Sequence, residues 1–124
     1  MYAAADYRYG DPMESGTASM EAITAIFDGP VCFLVAYAHI HKLAWEHPLM
    51  LILCTCQLYG LVWYTLQPIF DEAGFAGHFS SDPLLLWGIV VFFNSPWAIA
   101  PVILLWNSWK AIVKGMGGKS VKGA

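Results

Sequence analysis

Glu21, Thr24 and Asp28 lie inside an apolar run, at a spacing that gathers two carboxylates and a hydroxyl on one side of a helix. Counting from Glu21, Thr24 or Ala25 falls at i+3 or i+4 and Asp28 at i+7, while Ile23, Ile26 and Phe27 turn elsewhere. An ionisable side chain at the centre of a membrane helix costs roughly 2.5–3.5 kcal/mol on insertion scales, so it turns to a bundle interior or a wet cavity. Proton handling or capture of a polar group is the chemistry open to such a face, which we read as half of a site. The other half is a stripe near the far end of the chain, where Asn94 and Trp97 stand at i and i+3 with Pro101 at i+7. An indole there can stabilise a cation by roughly 0.5–2 kcal/mol. Between the two, Gln57, Gly60 and Tyr64 share a face at i, i+3 and i+7, and the glycine allows another helix or a ligand to come close. The pocket expected from these faces is apolar with a few polar groups, suited to a hydrophobic ligand with one polar end.

Elements that could position these residues follow from composition. The 124 residues are 58% hydrophobic and 12% charged, against roughly 25% charged in an average soluble domain. Three apolar stretches, 20–40, 49–66 and 84–109, are long enough to cross a bilayer and predict an all-α, polytopic membrane helix bundle. Residues 1–19, with Asp6, Arg8 and three tyrosines, read as an interfacial connector, and residues 110–124 as a basic tail with four lysines. Ser15, Thr17 and Ser19 are candidate caps, Gly29-Pro30 predicts a kink, and Pro96 and Pro101 free carbonyls that neighbouring helices or water must satisfy. A loop over 67–83 is acidic and lacks Lys and Arg. His39, His41, His47 and His78 fall in or beside connecting loops, where solvation is expected.

Lys42 and the tail lysines fall on one side of a three-span chain and Arg8 on the other, so the positive-inside bias makes the C-terminus cytosolic and the connector lumenal or exterior. Residues 1–20 lack the basic start and apolar core of a cleaved leader, leaving the first span to direct insertion. Nine acids against six bases give a net charge of -3 and no basic patch, which excludes nucleic acid as a partner. Cys32, Cys54 and Cys56 are odd in number and lie within apolar runs, and the i, i+2 spacing of the last two makes a poor chelate. They read as packing residues, and no metal is expected.

Taken in order, Asp6-Tyr7-Arg8-Tyr9, Met20-Glu21-Ala22-Ile23-Thr24-Ala25 with Gly29-Pro30, His47-Pro48-Leu49, Gln57-Leu58-Tyr59-Gly60, Asp82-Pro83-Leu84 and Phe93-Asn94-Ser95-Pro96-Trp97 with Pro101 resemble the emopamil-binding protein family. These are the sterol Δ8-Δ7 isomerases of the endoplasmic reticulum, and their domain is called EXPERA. The resemblance implies a cofactor-free reaction: an acid protonates the sterol ring double bond, a tertiary carbocation forms, and a neighbouring proton is lost. By the family pattern Glu21 stabilises the cation or relays the proton, Thr24 is its neighbour, and Asn94 and Trp97 form the opposing wall. Asp28, Gln57 and Tyr64 are read as substrate-binding groups. Family members carry further helices before the Asp-x-Arg-Tyr connector, the nearest supplying a histidine and a glutamate; the chain begins after that point, and none of its histidines takes over that role.

Two other classes compete with the isomerase. A non-enzymatic sterol or lipophilic-amine binding protein would use the same pocket, and a small proton-conducting bundle would use Glu21 and Asp28. Three spans leave little room for a pore within one chain, and association into a homodimer stays open.

Overall fold

The computed structural model describes residues 2–122, with side chains as far as 117. Three long helices dominate: a first span Ser15–Ile40, a second Glu46–Phe70 and a third Pro83–Gly117. All exceed the ~20 residues that cross a hydrocarbon core. Among the described residues the sole β-type pairing is an isolated bridge between Asp6 and Phe79.

Helix ends are set by local chemistry. The first span starts at Ser15, ahead of the expected 20, because the Glu14 carboxylate accepts from the N–H groups of Gly16 (2.8 Å) and Thr17 (2.6 Å). Burial pushes the Glu14 acid upward, but those N–H bonds more than reverse it and hold its pKa at about 2. At the third span, Asp82 accepts from Leu84 N–H at 2.9 Å while Pro83 occupies the first turn. That helix runs on through Lys122, so the residues expected to form a tail continue the helix. Lys110 and Lys114 lie on this extension; the side chains of Lys119 and Lys122 fall outside the described residues.

Proline placement explains the irregular turns. The Gly29-Pro30 break becomes a π turn over Thr24–Asp28, in which Gly29 N–H reaches back to Thr24 O, leaving the helix unbroken. A second π turn covers Leu86–Val91, ahead of Pro96. Pro96 removes the donor that would serve Phe92 O, and Ser95 Oγ supplies it at 2.7 Å. This carbonyl needs neither a neighbouring helix nor water. The second span outruns its expected end by four residues with Pro68 inside it, so the loop begins at Asp71 and contains a short helix, Gly74–His78.

The second and third spans make the most extensive contact, and the first lies against the second. Buried apolar side chains form two small clusters, Ala5, Phe79 and Val90 at one end and Val31, Val35 and Leu53 between the first two spans. Most large apolar side chains point outward, among them Ile26, Phe33 and Leu84. Such a surface suits lipid, where helix association rests on packing and hydrogen bonds rather than on escape from water.

Residues 2–9 are partly exposed, with Tyr2 and Tyr7 at the surface, but the segment is tied to the bundle. Asp6 and Arg8 are buried, and Ser80 N–H donates to Ala5 O at 2.9 Å, which draws the connector and the acidic loop together at one end of the bundle. At the opposite end, His47 Nδ1 lies 3.3 Å from Ser108 Oγ. His78 is buried, with Nε2 3.0 Å from Asp71 Oδ2. The expectation of solvated histidines therefore holds for His39 and His41, both exposed, but not for His47 or His78, whose partners are brought in by the chain fold.

Candidate active site in the three-helix cavity

Glu21, Thr24, Asp28, Gln57, Tyr64, Asn94 and Trp97 all line one cavity of about 740 Å³ between the spans. This is within the roughly 300–1,000 Å³ typical of small-molecule sites. Ile23, Phe27, Tyr59 and Trp63 supply apolar wall. A smaller groove of about 500 Å³ runs from Tyr59 to Asp71 and is lined by the second span and Asp71 alone.

The first span presents its two acids differently. Glu21 and Thr24 remain exposed, whereas Asp28 is buried. The shared face expected from i, i+7 spacing is disturbed by the π turn, which fits one extra residue into the helix and rotates Asp28 relative to Glu21. Thr24 Oγ1 donates to Met20 O at 2.9 Å, so its proton serves its own helix and its lone pairs face outward.

On the second span, Gln57, Gly60 and Tyr64 all border the cavity. A Cβ built on Gly60 would stand 3.8 Å from Met20 Sδ, an ordinary contact, so the glycine leaves space without being required for close approach. The Gln57 amide donates to Cys32 Sγ at 3.9 Å. Tyr64 gives its hydroxyl proton to Asp6 Oδ2, and its ring lies beneath the Arg8 guanidinium, 3.9 Å from the centroid. Its hydroxyl is thus committed within the protein, and its ring forms wall.

Two tyrosines of the connector join the two halves of the site. Tyr9 donates to Glu21 Oε1 at 2.6 Å, and Tyr2 accepts from Asn94 Nδ2 at 3.1 Å. Their rings meet edge to face at 5.0 Å. Burial, and then the Glu21 carboxylate beside it, push the Tyr9 phenol above its ordinary range, so it stays a donor. Asn94 also donates to Val90 O at 2.6 Å, inside its own helix. Sequence reasoning treated these tyrosines as interfacial anchors; the available signal was their nearness to Asp6 and Arg8.

Arg8 locks this arrangement. Its Nε and Nη2 form a two-pronged pair with Asp6 at 3.0 and 2.9 Å, and Nη1 donates to Tyr64 O and Gln67 Oε1, each at 3.0 Å. Burial opposes the charge, but Asp6 restores it and holds the guanidinium above its ordinary value.

A family model described as EXPERA (EXPanded EBP superfamily) matches residues 1–108. The chain belongs to the EXPERA family. Among EXPERA relatives, a probable 3-beta-hydroxysteroid-Delta(8),Delta(7)-isomerase of Oryza sativa subsp. japonica is 33% identical over 98% of this chain and 53% of its own length. A protein of the same name from Arabidopsis thaliana is 29% identical over 90% of this chain and 48% of its own. The 3-beta-hydroxysteroid-Delta(8),Delta(7)-isomerase of Mus musculus is 31% identical over 85% and 46%. The chain spans about half the length of these curated relatives. With three apolar helices of spanning length, it is a multi-pass membrane protein of this family.

Proposed function

We propose that the chain takes part in sterol Δ8-Δ7 isomerisation in the endoplasmic reticulum membrane, as an intramolecular isomerase that shifts a ring C=C bond. The observation that carries this reading is the single cavity bordered by Glu21 on one helix and Asn94 and Trp97 on another. A flat fused-ring lipid enters from the bilayer and lies against the aromatic wall. One proton is added to the ring alkene and one is lost from a neighbouring carbon, so the step balances without redox change and without a cofactor. Glu21 is the carboxylate this chain contributes to stabilise the transient cation or relay the proton, and Tyr9 holds it in place. Thr24 stands beside it. Trp97 offers its ring face to the cation, Asn94 fixes the opposing wall, and Asp28, Gln57 and Tyr64 complete the substrate cradle. The C-terminal end faces the cytosol.

Sterol profiling in isomerase-deficient cells expressing the full-length gene product tests this. Conversion of Δ8 to Δ7 sterols is expected, lost in Glu21→Ala and kept in Cys54→Ala. Expressed, membrane-inserted protein that leaves the sterols unchanged overturns the isomerase assignment; tight sterol binding with that result reassigns the cavity to binding alone.

A further inference from the structure

Asp28 is the acid of the first span that the protein encloses. It is 7% exposed, and its Oδ1 is shut off from solvent with no hydrogen-bond partner. Among the described residues no donor reaches its side chain; Gln57, on the same cavity, directs its amide to Cys32. A buried carboxyl group without a partner is costly, and a ligand that brings a donor offsets that cost. Asp28 nevertheless lines the cavity, and it ends the π turn that rotates it away from the helix phase of Glu21. Irregular turns of this kind recur at functional sites.

We propose that Asp28 receives the ring hydroxyl of a sterol and thereby fixes which way round the ring system lies. The inference rests on the reading of the cavity as a sterol site. Asp28 lies seven positions beyond Glu21, about 10 Å along the axis. The names of the rice and mouse relatives describe substrates with a 3-beta hydroxyl and a Δ8 alkene, one in the first ring and one in the second. A hydrogen bond at one acid and a proton-transfer contact at the other, added to that intramolecular distance, fill the two helical turns. In the reversed orientation the hydroxyl would leave Asp28 facing hydrocarbon. Phe27 and Trp97 bound the space with aromatic surface.

The test is equilibrium binding to the protein in lipid nanodiscs, with a radiolabelled Δ8 sterol bearing the 3-beta hydroxyl and its 3-deoxy analogue. Wild-type protein should bind the hydroxysterol roughly five- to hundredfold more tightly, the range for satisfying a buried polar group that otherwise lacks a partner. Asp28→Leu should abolish that preference while binding the deoxysterol at least as well as wild type does, which a misfolded variant cannot do. Equal binding of both sterols by wild type, or an undiminished preference in Asp28→Leu, overturns the role of Asp28 and leaves the sterol reading intact. If wild type binds neither sterol, both the role and the sterol reading fall.

Discussion

Arg8 Nη1 donates at 3.0 Å to the main-chain carbonyl of Tyr64, the carbonyl that Pro68 deprives of its helical partner four residues on. A proline inside a membrane helix is thereby tolerated through a cation 56 positions away in sequence. Because the same guanidinium is paired with Asp6 and stacked on Tyr64, the connector, the second span and the cavity wall are one structural unit.

Arg8→Met is expected to destabilise the protein by about 3–5 kcal/mol, since it strands a buried carboxylate and the freed carbonyl together. In a Pro68→Ala background the cost should fall by about 1 kcal/mol, because an alanine at that position restores the helical N–H. Thermal unfolding in detergent across the four-member cycle measures this. A coupling of zero would mean that Arg8 and Pro68 act independently.

Ser95 and Pro96 form a smaller version of the same device. Ser95→Ala should cost about 1 kcal/mol alone and almost nothing beside Pro96→Ala, where the regained N–H serves Phe92 O. Equal losses in both backgrounds would show that the Ser95 hydroxyl does not serve that carbonyl.

Stability should depend on Glu14 at acid pH. Its folded pKa of about 2 lies below the ordinary 4.5, so the unfolded chain binds the proton more readily in between. The contribution is therefore complete above about pH 4.5 and is lost as pH falls toward 2. Glu14→Gln should flatten that segment of the profile of unfolding midpoint against pH, and Glu14→Ala should lower stability by about 1 kcal/mol at neutral pH.

Tyr9→Phe should lower kcat for the proposed isomerisation by roughly tenfold with little change in KM, because it removes a hydrogen bond to the Glu21 carboxylate but no wall area. Tyr2→Phe should do less, since Asn94 keeps its bond to Val90 O. An unchanged kcat in Tyr9→Phe would remove the tyrosine from the proposed reaction.

Much of this was legible in the residues alone. Three helices of spanning length follow from apolar run length, because a chain in lipid must satisfy its backbone hydrogen bonds within each segment. Helical period then grouped Gln57, Gly60 and Tyr64, and Asn94 with Trp97, correctly enough that all of them border one cavity. Phase counting lost accuracy across Thr24–Asp28, since Gly29-Pro30 announced an irregularity but not the extra residue that the π turn inserts ahead of it, and Asp28 became buried while Glu21 did not.

Only the tertiary structure decided where the polar groups find partners. Nothing in the run from Tyr2 to Tyr9 reveals that Arg8 meets Tyr64 and Gln67, or that Tyr2 meets Asn94 across 92 positions. The reason is physical: span length and helical face are set by neighbours in sequence, whereas a buried donor is satisfied by whatever acceptor helix packing brings within about 3 Å, and sequence separation carries no record of that distance.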